Sequence, residues 1–182
     1  MNKILKDGST VSIREAVVED AEKLCKYMEI VNAETQNLSR EPHEWNMTVE
    51  NEAKFLESVM KSNNDCHLVM MKDGVIISGS GFHGSGLSRL SHKVSLGISV
   101  LKDYHNQGVG TLMMEALIEK AKEYHKTKIE LDVRSDNHAA IHVYKKSGFK
   151  IEGYREDGFF VDGKYIGLTL MGLNLREDLW VI

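Results

Sequence analysis

Apolar and polar residues alternate along "STVSIREA", residues 9–16, and this two-residue period predicts a first strand. The period then lengthens. Over residues 19–34, Ala21, Leu24, Cys25, Met28 and Val31 recur at i, i+3, i+4 spacing, which predicts an amphipathic helix. The polar stretch 36–47 holds Trp45 and the only proline, Pro42, and reads as a loop. A second helix is expected over 48–62, with Thr48 as its N-cap. Two apolar runs flank Asp73-Gly74, a strong hairpin signal, and "HKVSLGISV" (92–100) adds a further strand. Residues 109–125 form a helix pattern with Leu112, Ala116, Leu117 and Ala121 on one face, followed by the short strand "KIELDV". Asn137 opens another helix, which Gly148 closes, and strands near 149–156 and 164–173 surround the turn Asp162-Gly163. The order β-α-α-β-β-β-α-β-α-β-β describes a mixed α/β sheet, mostly antiparallel and flanked by helices, and unlike a doubly wound nucleotide fold. All of residues 1–182 are expected to form one domain.

Composition narrows the partners. With 42% hydrophobic and 27% charged residues, the chain has the make-up of an ordinary globular domain with a sizeable core. A net charge of -4 argues against nucleic acid as main partner and suits an amine. Cys25 and Cys66 lie in core-like runs and are too few for a disulfide framework, so both are expected as reduced thiols. The start "MNKILKDGST" lacks a secretory apolar stretch, and no apolar run approaches the roughly 20 residues of a membrane helix. The expectation is a cytoplasmic protein with no membrane partner; a homodimer is compatible with the pattern.

Three motifs fail on context. "GSGFHG" (79–84) matches G-x-G-x-x-G but is followed by loop and strand where a dinucleotide site needs a helix. "GFFVDGKY" (158–165) carries Tyr165 where a P-loop needs Ser or Thr, and its interior is strand material. His138 and His142 have the i, i+4 spacing of a zinc pair but no third ligand, so no metal is expected. No nucleophile elbow occurs, and neither cysteine stands in a nucleophile motif.

"HNQGVGT", residues 105–111, sets two glycines at the mouth of a helix. Unpaired N–H groups and a partial positive charge gather there, so glycines let a phosphate approach the backbone. An ordinary tight turn meets the same spacing. The stretch "GISVLKDYHNQGVGTLMMEALIEKA" resembles the acetyl-CoA motif of the GNAT superfamily of N-acetyltransferases, with His105-x-x-Gly108-x-Gly110 where the family has Arg/Gln-x-x-Gly-x-Gly/Ala. "LDVRSDNHAAIHVYKKSGFKIEG" resembles the family's next strand and helix, with Asn137, Ala140, Tyr144, Gly148 and Phe149 in the recurring positions. The resemblance covers His92 to about Leu168; earlier residues agree only in element order.

The resemblance implies an N-acetyltransferase that moves acetyl from acetyl-CoA to a primary amine of a small molecule or peptide by direct attack. It implies that the amides of Ile98, Ser99 and Val100 hold the acetyl carbonyl and pantetheine. The stretch His105, Asn106, Gln107, Gly108, Val109, Gly110 and Thr111 would hold the pyrophosphate, and Asn137 the pantetheine arm. Tyr144 would protonate the leaving thiolate. Asn137 and Tyr144 lie seven residues apart, about 700° of rotation and roughly 10 Å of rise, so they share a helix face. An N-cap role for Asn137 and a core role for Tyr144 are the plainer alternatives. Relatives often carry a Glu base where this chain has Ser95, which leaves the base to a water chain or to a carboxylate such as Glu34 or Asp132. A non-catalytic acyl-CoA-binding module is the alternative that Ser95 favours and Tyr144 opposes.

Overall fold

The computed structural model describes residues 1–176; the last six residues of the expected domain lie outside it. Among the described residues eight strands form one sheet in the order β1-β2-β3-β4-β5-β6-β8-β7. Their ranges are β1 Asn2–Ile4, β2 Thr10–Glu15, β3 Cys66–Lys72, β4 Val75–Gly84, β5 Lys93–Val100, β6 Lys128–Arg134, β7 Lys150–Val161 and β8 Lys164–Asn174. Only β5 and β6 run parallel, because α3 (Val109–Glu123) crosses between them. The remaining helices are α1 (Ala21–Glu34), α2 (Val49–Met60) and α4 (His138–Lys146).

The expected element order holds, with one addition. β1 is only three residues long, too short to show a period, and pairs with β2. Both expected hairpins form. Asp73 and Gly74 take φ of 49° and 81°, and Asp162 and Gly163 take 50° and 75°, the left-handed pair of a type I′ turn. "GSGFHG" lies inside β4, and "GFFVDGKY" spans the β7–β8 hairpin, so neither opens a helix. His138 and His142 are exposed on α4, and among the described residues no three metal-ligating side chains cluster.

Two apolar layers sandwich the sheet. On one face α3 and α4 bury Met113, Met114, Leu117 and Ala121 against Phe82, Val94, Leu96, Ile129 and Leu131. On the other, α1 and α2 bury Leu24, Tyr27, Val31 and Leu56 against Val69 and Ile76. Strand alternation therefore assigns each sheet residue to one face. Val94 and Leu96 belong to the α3 face, so Ser95, Gly97 and Ser99 belong to the α1 face. Both cysteines are buried and form no disulfide. Among the described residues no helix is long and apolar enough to cross a membrane.

Leu117 is fully buried at the centre of the α3 layer. Truncation there leaves a cavity that a rigid sheet cannot close, so Leu117→Ala is expected to lower stability by about 2–5 kcal/mol. Chemical denaturation checks this; an unchanged midpoint would mean α3 does not carry the core.

Candidate active site

β5 and β6 pair at only three positions, Lys93–Lys128, Val94–Ile129 and Ser95–Glu130. Beyond Ser95 the two strands part, while β5 stays paired with β4 as far as Val100. The Leu101 amide donates to Ile77 O on β4. Alternation then turns the N–H groups of Ile98 and Val100 away from β4 into the gap, and the N–H of Ser99 toward β4. Of the three strand amides expected to act together, two thus face the gap. Ser99 contributes its side chain instead: its Oγ lies 2.8 Å from Tyr27 Oη, which also accepts the Gly79 N–H at 3.1 Å. Tyr27 is buried, and burial pushes its phenol up to about 12, so it stands as a neutral strut joining α1, β4 and β5.

The gap leads to the loop before α3. Asn106 and Gly108 take φ of 62° and 92°, and alternating left-handed residues turn successive N–H groups into one concavity. Gly108 is the α3 N-cap and has no side chain to bond the first amides of the helix. The two glycines differ in need. Gly108 requires its left-handed φ, whereas a Cβ at Gly110 would meet only Val143 methyls at an ordinary 3.9 Å. His105 turns to the strand: its Nε2 lies 3.0 Å from Val100 O at the end of the gap. The Gln107 carbonyl accepts from the Lys6 amide, which ties the concavity to the β1–β2 turn.

α4 lines the far side. Asn137 Oδ1 accepts from the Ala140 amide at 3.2 Å, so this oxygen caps α4 and leaves the Nδ2 amide for a ligand. Tyr144 is 8% exposed, its ring lies against Phe149, and burial pushes its phenol up to about 12. Of the carboxylates singled out from sequence, Glu34 Oε2 accepts the Lys102 amide at 2.8 Å and Asp132 pairs with Arg155 at 2.9 Å. The 36–47 loop is fastened over this end of the sheet. Arg134 donates to Gln36 O, and Gln36 Nε2 donates to Asp162 on the β7–β8 hairpin. A cavity of about 210 Å³ lies between this loop and Phe159, Phe160 and Val161.

Several of these groups left no motif. Tyr27 meets Gly79 and Ser99 only through the packing of α1 on the sheet, and Gly97 lies opposite Gly81 only through the β4–β5 pairing, so no local spacing marks them.

Comparison with known proteins accords with this arrangement. The model of the acetyltransferase (GNAT) family matches residues 27–149. A crystal structure of an acetyltransferase of GNAT family from Streptococcus pneumoniae superposes with a TM-score of 0.88 and 32% identity, over 91% of this chain and 99% of that one. The fold is also that of yncA from Salmonella typhimurium, solved with acetyl-CoA, at a TM-score of 0.82 and 20% identity over 93% and 96% of the two chains. Among curated proteins, the L-amino acid N-acetyltransferase AaaT of Escherichia coli K12 is 37% identical over 86 residues, 47% of this chain and 53% of AaaT. An N-alpha-acetyltransferase of Sulfurisphaera tokodaii is 42% identical over 65 residues, 35% and 38% of the two chains. The matches to these two relatives thus span about half of their length or less. A match of the family model across two-thirds of the chain, with the fold shared over 91% of it, establishes that this protein is a member of the GNAT family of acetyltransferases.

Proposed function

We propose that the protein transfers acetyl from acetyl-CoA to a primary amine, by direct attack of the amine in a ternary complex. The observation that carries this reading is the continuity of the β5–β6 gap with the concavity at the α3 N-terminus. An extended thioester arm fits a strand-like gap whose Ile98 and Val100 amides are turned inward, and a pyrophosphate fits a nest of N–H groups beside a helix start. Asn137 Nδ2 would bond the arm, and residues 105–111 the pyrophosphate. Ser99 belongs to the strut with Tyr27 rather than to the amides that meet the thioester. When bound, acetyl-CoA supplies an acyl group already activated by its thiol leaving group, so the chain needs no nucleophile of its own.

The part played by Tyr144 follows from acidity. A thiol near 8.5 is a stronger acid than a phenol held near 12, so full proton transfer from Tyr144 to the thiolate runs uphill. A neutral phenol still donates a strong hydrogen bond to a thiolate. Tyr144 therefore stabilises the leaving sulfur, and solvent supplies its final proton. The acceptor enters from the α1 face, beneath the 36–47 loop. One relative is named an L-amino acid N-acetyltransferase and another an N-alpha-acetyltransferase, which makes α-amines the first class to screen. The competing reading, an acyl-CoA-binding module without turnover, is favoured by Ser95 at a position able to hold a carboxylate; thiol release with an amine panel separates the two.

Two variants test the assignment. Gly108→Val forces a branched side chain into a left-handed position and tilts the nest, so acetyl-CoA affinity should fall at least tenfold, about 1.4 kcal/mol. His105→Ala should have the smaller effect, because its imidazole bonds the strand. Calorimetry with undiminished affinity for Gly108→Val would overturn the nest. Tyr144→Phe should keep the KM for acetyl-CoA and lower kcat by roughly 10- to 100-fold, the value of one hydrogen bond to a charged group. Wild-type kcat with a lowered melting temperature would make Tyr144 a core residue only.

A further inference from the structure

We propose that the Asp65–His83 pair, facing Ser95 across β4 and β5, accepts the proton of the acceptor amine. This rests on the transferase reading above. The register aligns polar residues in a row across the α1 face of the sheet. Asp65 stands just before β3, His83 on β4 pairs with Ser95 on β5, and Ser95 pairs with Glu130 on β6. The adjacent row, about 7 Å further along the strands, is His67, Gly81 and Gly97. Gly97 is exposed, and a Cβ there would meet nothing within 4 Å, so the β5 end of this row is an open floor at the mouth of the gap. An amine lying on that floor is within one water of His83, and the small Ser95 leaves the path clear.

The pair is built to take a proton. Asp65 Oδ1 lies 3.2 Å from His83 Nδ1, so the carboxylate fixes the proton on Nδ1 and leaves the Nε2 lone pair as the acceptor. Asp65 is itself held, its Oδ2 by Ser62 Oγ at 2.6 Å and its Oδ1 by the Gly84 amide at 3.3 Å. Phe55 of α2 borders the imidazole at 6.2 Å, and the His83 side chain is 63% exposed, open to water that carries the proton away. Glu52 of α2 also lies on this face but is buried, and burial raises its carboxyl pKa; the sheet-end carboxylates nearer the gap are committed. Glu130 pairs with Lys93 at 2.9 Å, Asp132 with Arg155, Asp136 with Arg134, and Glu34 with the Lys102 amide. His67 is held neutral, because burial and then the nearby His83 push it down to about 4.

The step balances without a further reactant. The ammonium gives one proton to His83 Nε2, and its freed electron pair forms the C–N bond to the thioester carbonyl carbon. The C–S bond breaks and its electron pair stays on sulfur, beside Tyr144. The nitrogen sheds its second proton as the amide forms, the sulfur takes up one proton, and His83 returns its own to water, for a net release of one proton.

Methylamine and hydroxylamine distinguish a base from a scaffold. Methylamine is protonated at neutral pH and must lose a proton before attack, whereas hydroxylamine is already neutral. His83→Ala should lower kcat/KM for methylamine by about a hundredfold or more, and for hydroxylamine by far less. Asp65→Asn should show the same contrast in weaker form, and added imidazole should restore methylamine turnover to His83→Ala. Equal losses toward both amines, or no loss, with acetyl-CoA affinity and melting temperature unchanged, would overturn the role of His83. Failure of the wild type to bind acetyl-CoA in calorimetry would instead overturn the transferase reading itself.

Discussion

The parting of β5 from β6 after Ser95 and Glu130 is the constraint on which the site depends. Backbone N–H groups inside a sheet seek partners, and leaving them unpaired away from water costs free energy comparable to a lost hydrogen bond. Here the sheet leaves Ile98 and Val100 turned into the gap and fills part of its end with the His105 imidazole. In the proposed complex a ligand with an amide-bearing arm would complete the ladder that β6 abandons. The same divergence delivers the chain from β5 to the α3 N-terminus, so in the proposed complex the arm and its phosphates would be met in sequence by strand and helix.

Opening a sheet weakens it, and the α1 face shows what holds this one. Tyr27 reaches across to the Gly79 amide and the Ser99 hydroxyl, and its burial keeps the phenol neutral, so the strut carries no uncompensated charge. The glycines beside it are steric necessities of different kinds. A Cβ at Gly81 would stand 2.6 Å from Cys66 O, a collision with backbone, and one at Gly79 would press the Tyr27 ring at 3.1 Å. Gly97 has open space instead, so its value is the room it leaves above β5. Burial thus shapes both tyrosines: it holds Tyr27 as a neutral strut, and in the proposed reaction it leaves Tyr144 a hydrogen-bond donor rather than a proton donor.

Much of this architecture was legible in the chain itself, because helices and hairpins announce themselves locally. Thr48 caps α2 as its spacing implied, and Asp73-Gly74 turns the β3–β4 hairpin. The helix-opening glycines and the Asn137 to Phe149 pattern located α3 and α4. What escaped was whatever depends on register. β1 was too short to show a period, and β7 and β8 run longer than their apolar patterns suggested. The Oδ1 of Asn137 proved to be committed to capping, an outcome its type and position allow equally well. His83 stood inside a glycine motif that lies in β4 and opens no helix, yet only the β4–β5 pairing sets it opposite Ser95.

The central claim, that the β5–β6 gap and the loop before α3 form one continuous site for a CoA thioester, is tested most directly by residue. Titrating CoA into uniformly ¹⁵N-labelled protein should shift the amide resonances of Ile98, Val100 and residues 106–111 together, in a single saturable event, with the Asn137 side-chain amide following. Shifts confined to residues 79–84, or an unmoved set at 106–111 under saturating CoA, would contradict it.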